Sequence, residues 1–203
     1  STGEFNWIPT ASYSGTENTV TVTLSDGSLS SESTFIISVD KEEQTITFGS
    51  LAEKAFGEAS FDLEATASSG LDVSYNSSNT RVATISGKTV TISGAGTATI
   101  TASQAGNSSF NAAESVSQSL VVNKASQSIS FTAFGEKAFG DDDFNLEASA
   151  SSGLIVSFTS SNTDVASILG NTVTIVGAGT AEITAVQSGN ENYKSAVDVT
   201  QTL

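Results

Sequence analysis

"TVTISGAGTATITASQAGN" (89–107) and "TVTIVGAGTAEITAVQSGN" (172–190) are one passage written twice, 83 residues apart. The passage alternates: Val90 and Ile92 point one way while Thr89 and Thr91 point the other, and Ala98, Ile100 and Ala102 share a face. Such alternation, broken by "GAG" (94–96 and 177–179), reads as β-strands and turns. It also rules out a phosphate loop, since no Lys-Ser/Thr ending and no helix follow. Working outward, Gln44–Leu120 aligns with Gln127–Leu203 without a gap, and about 46 of the 77 paired positions are identical. Solenoid repeats of about 20–50 residues cannot bury a core alone, whereas a unit of 83 residues can.

The same alternation marks further strands. Those expected in the first copy are "TITF" (45–48), "FDLEATA" (61–67), "VSYN" (73–76), "VATI" (82–85), "TVTIS" (89–93), "TATITAS" (97–103) and "SVSQSLVV" (115–122). In "SGKT" (86–89) and "LGNT" (169–172) Gly stands first in a two-residue loop, the requirement of a type II′ hairpin. Seven short strands without helical periodicity predict an all-β chain of tandem immunoglobulin-like β-sandwich domains. The first 40 residues differ. "GEFNWIPT" (3–10) reads as a strand, and "TVTVTLSDGSLSSESTFIISV" (19–39) as a hairpin turning at Asp26-Gly27. The expected organisation is 1–40 as the C-terminal part of a preceding domain, then repeats at 41–123 and 124–203, the last strand of the second cut short.

Composition narrows the function. A net charge of −15 repels phosphate backbones and argues against nucleic-acid partners. The longest apolar runs, such as "FII" (35–37), are too short to cross a bilayer, so no direct membrane insertion is expected. The chain has no Cys and no His, which removes disulfides, thiolate nucleophiles and the commonest general base. With no convergent acid pair either, the sequence predicts a protein that is not an enzyme.

Two acidic clusters are candidate calcium ligands: Asp141, Asp142 and Asp143 in a loop, and Asp40, Glu42 and Glu43 in the first linker. Calcium takes six to eight oxygens, which three adjacent carboxylates on one extended segment cannot supply together. The first copy carries Glu58, Ala59 and Ser60 where the second carries the three aspartates, and the second linker has Asn123, Ala125 and Ser126. Solvated loop and charged hinge are therefore the favoured readings. No cofactor is expected to be required, and calcium stands as the alternative. Phe56, Phe110, Phe139 and Tyr193 recur at equivalent positions, which favours core or loop-anchor packing over sugar stacking. Trp7 is likewise expected in a core.

The run "SYNSSNTRVATISGKTVTISGAGTATITASQAGN" (74–107) resembles bacterial Ig-like repeats of the group 2 type, found in intimin-like and invasin-like adhesins. "EKAFGD" (136–141) with "GNENYKSA" (189–196) resembles repeats carrying a Phe-Gly or Tyr-Gly signature in long secreted bacterial adhesins. "GEFNWIPTASYSG" with "VTLSDGS" resembles the end of a cadherin-like or Ig domain. These resemblances imply an extracellular or cell-surface bacterial protein, with the repeats serving as a spacer stalk. The alternative is a module that binds carbohydrate or glycoprotein. The implied partners are neighbouring Ig-like domains of the same chain and surface glycans. The families supply no universal binding residues.

Overall fold

The computed structural model describes residues 6–203. Nineteen strands run through them with one 3-10 turn, Ala11–Tyr13, and no α-helix. The long hairpin forms as expected: β1 (Thr16–Ser25) pairs antiparallel with β2 (Ser30–Val39). Its turn is fixed by the Asp26 carboxylate, which accepts from the backbone N–H of Ser28 and Leu29. These two bonds stabilise the charged form, so the carboxyl lies below the ordinary range. Asn6–Thr10 are not in a strand, contrary to the expectation for "GEFNWIPT", whose first three residues lie outside the described ones.

The first copy supplies β3 (Ile46–Phe48), β4 (Lys54–Ala55), β5 (Phe61–Asp62), β6 (Ala65–Ala67), β7 (Ser74–Ser77), β8 (Ala83–Ser86), β9 (Thr89–Ile92), β10 (Gly96–Ser103) and β11 (Val116–Asn123). The second supplies β12 (Ile129–Phe131), β13 (Phe144–Asn145), β14 (Ala148–Ala150), β15 (Ser157–Ser160), β16 (Ala166–Leu169), β17 (Thr172–Ile175), β18 (Glu182–Val186) and β19 (Val199–Thr202). Each copy has a two-stranded ladder (β3-β6, β12-β14) and a three-stranded one (β5-β9-β8, β13-β17-β16). These face a sheet ordered β4-β11-β10-β7 in the first copy and β15-β18-β19 in the second. The result is an immunoglobulin-like sandwich.

Two local differences from the sequence reading have clear causes. "FDLEATA" is not one strand, because β5 pairs with β9 while β6 pairs with β3. The chain changes sheets at Leu63, which is buried and whose N–H donates to the Lys88 carbonyl. The second difference is β4, a two-residue strand pairing parallel with β11 at Val122 and Asn123. No alternation rule finds a strand that short. The "SGKT" turn matches the type II′ expectation, with Gly87 at φ +60°.

By contacts the chain divides into two compact units: Ser1–Ala52, Ser60–Thr91 and Ala98–Leu120 in the first, and Glu53–Ala59, Ile92–Thr97 and Val121–Leu203 in the second. In unit 1, Val90, Ala98, Ile100, Ala102 and Leu120 are fully or almost fully buried, on the faces the alternation assigned. In unit 2, Leu146, Val165, Ala166, Val173, Ala181 and Ile183 form the core, with Phe131, Phe134, Phe144 and Phe158 packed against it. Burying side chains of this size contributes about 1.5–3 kcal/mol each for the larger ones.

Candidate functional site

The most elaborate polar construction in each unit lies where the linker meets the sandwich. In unit 1 the Lys41 ammonium donates to the Asn107 carbonyl at 2.8 Å. The Asn107 side chain in turn accepts from the N–H of Ser109 (2.7 Å) and Phe110 (2.9 Å), holding the loop in a tight Asx turn. Glu42 forms a parallel bridge with Phe110: its N–H donates to the Ser109 carbonyl, and its carbonyl accepts from Asn111 N–H, both at 2.8 Å.

Gln44 completes the clamp from inside. Only 5% exposed, its amide N–H groups donate to Gln104 Oε1 (2.8 Å) and to the Asn111 carbonyl (2.6 Å). Its Oε1 accepts from the Ser69 hydroxyl, and Gln104 Oε1 also accepts from Gly106 N–H. A buried amide survives only when its hydrogen-bonding capacity is met, and here it is.

Unit 2 repeats the clamp residue for residue. Lys124 donates to the Asn190 carbonyl at 2.7 Å, and Asn190 Oδ1 accepts from Asn192 and Tyr193 N–H. Ala125 bridges Tyr193. Gln127 donates to Gln187 Oε1 (2.8 Å) and to the Lys194 carbonyl (2.7 Å), and accepts from the Ser152 hydroxyl. Gly106 and Gly189 both sit at φ +76°, where a Cβ would overlap the carbonyl oxygen of Phe110 or Tyr193. Only glycine lets the loop close this tightly.

Of the candidate calcium ligands, Asp40, Glu42 and Glu43 adjoin the clamp in sequence, whereas Asp141, Asp142 and Asp143 lie in a separate loop. Glu43 accepts from the Asn111 side-chain amide at 2.8 Å, Asp40 lends its carbonyl to Ser14, and Asp40, Glu42 and Glu43 are all exposed. Asp141 Oδ2 accepts from Ala138 N–H at 2.9 Å, and Asp142 and Asp143 are exposed. Glu58 holds the equivalent turn, accepting from Ala55 N–H at 2.7 Å and pairing with Lys54 at 3.3 Å. The backbone bond from Ala55, then Lys54, pulls its carboxyl below the usual range. Thus Asp141 and Glu58 do the same local work. Among the described residues no group of three or more acidic side chains converges on a point where an ion could sit.

The aromatic residues divide. Within unit 2, Phe56 meets Tyr193 edge to face at 5.4 Å, and Ala95 N–H donates to Asn192 Oδ1 at 2.8 Å. Phe110 is half-buried. Phe139 breaks the expectation of packing: it is 68% exposed. Trp7 is half-buried against Tyr13 at 5.1 Å, and so is not a core residue.

The clamp residues went unread in the sequence, although a signal was there. Lys41/Lys124, Gln44/Gln127, Gln104/Gln187 and Asn107/Asn190 are identical in the two copies while the acids around them change.

Residues 62–106 match the family described as intimin, immunoglobulin-like domain, which makes this segment similar to an Ig-like domain of an adhesin. No curated protein matches the chain. Among solved structures, Drosophila N-cadherin EC1-4 is 13% identical, covering 92% of this chain and 57% of that one with a TM-score of 0.28. So loose a superposition adds nothing to the fold read from the sheets. Among the described residues no helix is long and apolar enough to cross a membrane.

Proposed function

We propose that the chain is a run of spacer modules in a bacterial surface adhesin, with domain limits at 41–123 and 124–203 behind the end of a preceding domain. The observation that carries this reading is the clamp. Lys41, Gln44 and Asn107 in one copy, and Lys124, Gln127 and Asn190 in the other, tie linker to sandwich through the same bonds. The loop acids, where a ligand site would need constancy, differ between copies. A module that keeps its joints and varies its loops is suited to holding other parts at a distance. The similarity of residues 62–106 to an intimin Ig-like domain supports a place on the bacterial surface. No catalytic step is assigned, and no metal is required.

One observation favours a second reading, a glycan-binding module. Asp40, Lys41, Glu43 and Asn111 line an open polar groove of about 500 Å³ in unit 1, a size that small ligands use. A glycan and host-glycoprotein panel, probed with calcium and then with chelator, separates the two. The spacer reading expects silence in both conditions. Binding lost in Asn111→Ala would transfer the function to this groove.

A further inference from the structure

Each repeat runs its first and last segments side by side in the same direction. In unit 1, Glu42 bridges Phe110 in parallel register, and the Asn111 side-chain amide donates to Glu43 at the same offset of 68 residues. Farther along these two segments, Gln118 Nε2 donates to the Phe48 carbonyl at 2.7 Å. With Lys41 on the Asn107 carbonyl, Gln44 on the Asn111 carbonyl and the two backbone bonds of Glu42, six hydrogen bonds tie 41–48 to 107–118. Unit 2 keeps the register. Ala125 bridges Tyr193 in parallel, Gln127 donates to the Lys194 carbonyl, and Gln201 donates to the Phe131 carbonyl at 3.0 Å. Lys54 and Ala55, also in unit 2, pair parallel with Val122 and Asn123 at that same offset.

Direction decides how such a seam meets tension. Where a chain enters through the start of one segment and leaves through the end of a parallel neighbour, pulling on the chain slides the two past each other. The bonds between them then share the load and give way together. An antiparallel hairpin behaves oppositely. Thr16 and Val39, the two ends of β1-β2, are register partners, so tension along the chain peels that hairpin one pair at a time from there. Gln118 and Gln201 lie outside the clamp and extend the tie beyond the loop that the clamp holds. Both copies keep them, as they keep Lys41/Lys124 and Gln44/Gln127.

We propose that each repeat is a load-bearing module, whose parallel first and last segments form a shear seam that resists tension applied along the chain. This goes beyond the spacer reading, which asks only that a module hold a length. The acceptors of the seam's long side chains are backbone carbonyls, at Asn107, Asn111 and Phe48 in unit 1 and at Asn190, Lys194 and Phe131 in unit 2. The seam therefore survives the exchange of acids and aromatic residues around it. Its resistance is kinetic: forced unfolding follows the rate of the first sliding step, not the equilibrium stability.

The chain has no cysteine, so introduced cysteines give unique handles for single-molecule pulling on all 203 residues. Asp40→Cys with Ser126→Cys pulls the first repeat in shear, and Asp40→Cys with Ser108→Cys peels the seam from its clamp end; all three positions are exposed. At one loading rate the shear pair yields at a force at least about twofold above the peeling pair, because six bonds share the load in one geometry and break in turn in the other. Gln118→Ala lowers the shear force and leaves the peeling force unchanged, since its bond lies farthest from the clamp end. Lys88→Ala, which removes the exposed ion pair with Asp62, changes neither force. Equal forces in the two geometries overturn the seam. So does Gln118→Ala lowering both forces alike or neither, or Lys88→Ala lowering the shear force as much as Gln118→Ala does. None of these failures touches the spacer reading, which is judged by the ligand panel; a chain that binds a ligand and still resists shear would keep the seam and lose the spacer.

Discussion

Replacing Gln44 by Ala removes two donated bonds and one accepted bond from a side chain that is 5% exposed. It also strands the Asn111 carbonyl and leaves the Ser69 hydroxyl proton without its acceptor, while Ser69 Oγ keeps Leu71 N–H and Gln104 Oε1 keeps Gly106 N–H. Three net bonds at about 1 kcal/mol each, adjusted for orphaned groups and for water reaching the site, give a loss of about 2–4 kcal/mol. For a module of this size that lowers its melting temperature by roughly 10–25 °C. Amide exchange on the full chain is the right assay because the second unit is an internal control. Protection of the slowest amides in Ala98–Leu120 should fall by a factor of about 30–1,000, while those around Gln127 and Gln187 stay unchanged. Combining Gln44→Ala with Gln104→Ala should cost less than the two single losses added together, because the pair shares one network. A loss below about 0.5 kcal/mol for Gln44→Ala, the size of an ordinary surface change, would refute the claim that this amide holds the linker.

Three further outcomes follow from the same structure. Gly189→Ala must place a Cβ at φ +76° against the Tyr193 carbonyl, so unit 2 should lose at least about 2 kcal/mol in a urea melt, whereas Gly135→Ala, with open space around it, should be near neutral. Asp142→Ala with Asp143→Ser, the residues of the first copy, should leave the melting temperature within about 1 °C of the parent, in calcium or in chelator; a calcium-dependent rise abolished by the pair would restore the metal reading. Asp62 is held below the ordinary carboxyl range by Thr89 and then Lys88, so the unfolded chain takes up its proton first as pH falls. The deficit of Asp62→Asn should be constant above about pH 5 and shrink as pH falls through the lowered folded-state value; a deficit that is unchanged, or grows, as pH falls below the ordinary carboxyl range would contradict this.

The sandwich could be read in advance because alternation carries its own geometry. Val90 and Ile92 declare one inward face, Ala98, Ile100 and Ala102 declare another, and the Gly87 turn declares its hairpin. The repeat then transferred that reading to the second copy at no cost in inference. What alternation cannot show is a change of partner inside a run, as at Leu63, or a two-residue parallel strand such as Lys54–Ala55, whose partner is some 70 residues away. The clamp escaped for a related reason: Gln44, Gln104 and Ser69 look like ordinary surface polars until the fold brings them together. The three aspartates draw attention by charge, which hides the backbone cap that Asp141 makes there and that Glu58 makes in the first copy. Phe139 shows the limit of arguing from recurrence, since its twin Phe56 is covered only through what lies against it.

The central claim is that these modules separate other parts and do not themselves adhere. It is tested most directly by displaying the chain on a bacterial surface, alone and with an unrelated antigen-binding domain at its far end. The versions compared are the natural pair of repeats, the pair with residues 136–143 replaced by 53–60, and a chain with one repeat removed. The account predicts that the chain alone captures nothing from the glycan and glycoprotein panel. It predicts that antigen capture through the added domain is indifferent to the loop exchange and falls when a repeat is removed. Adhesion by the chain alone, abolished by the loop exchange, would contradict it.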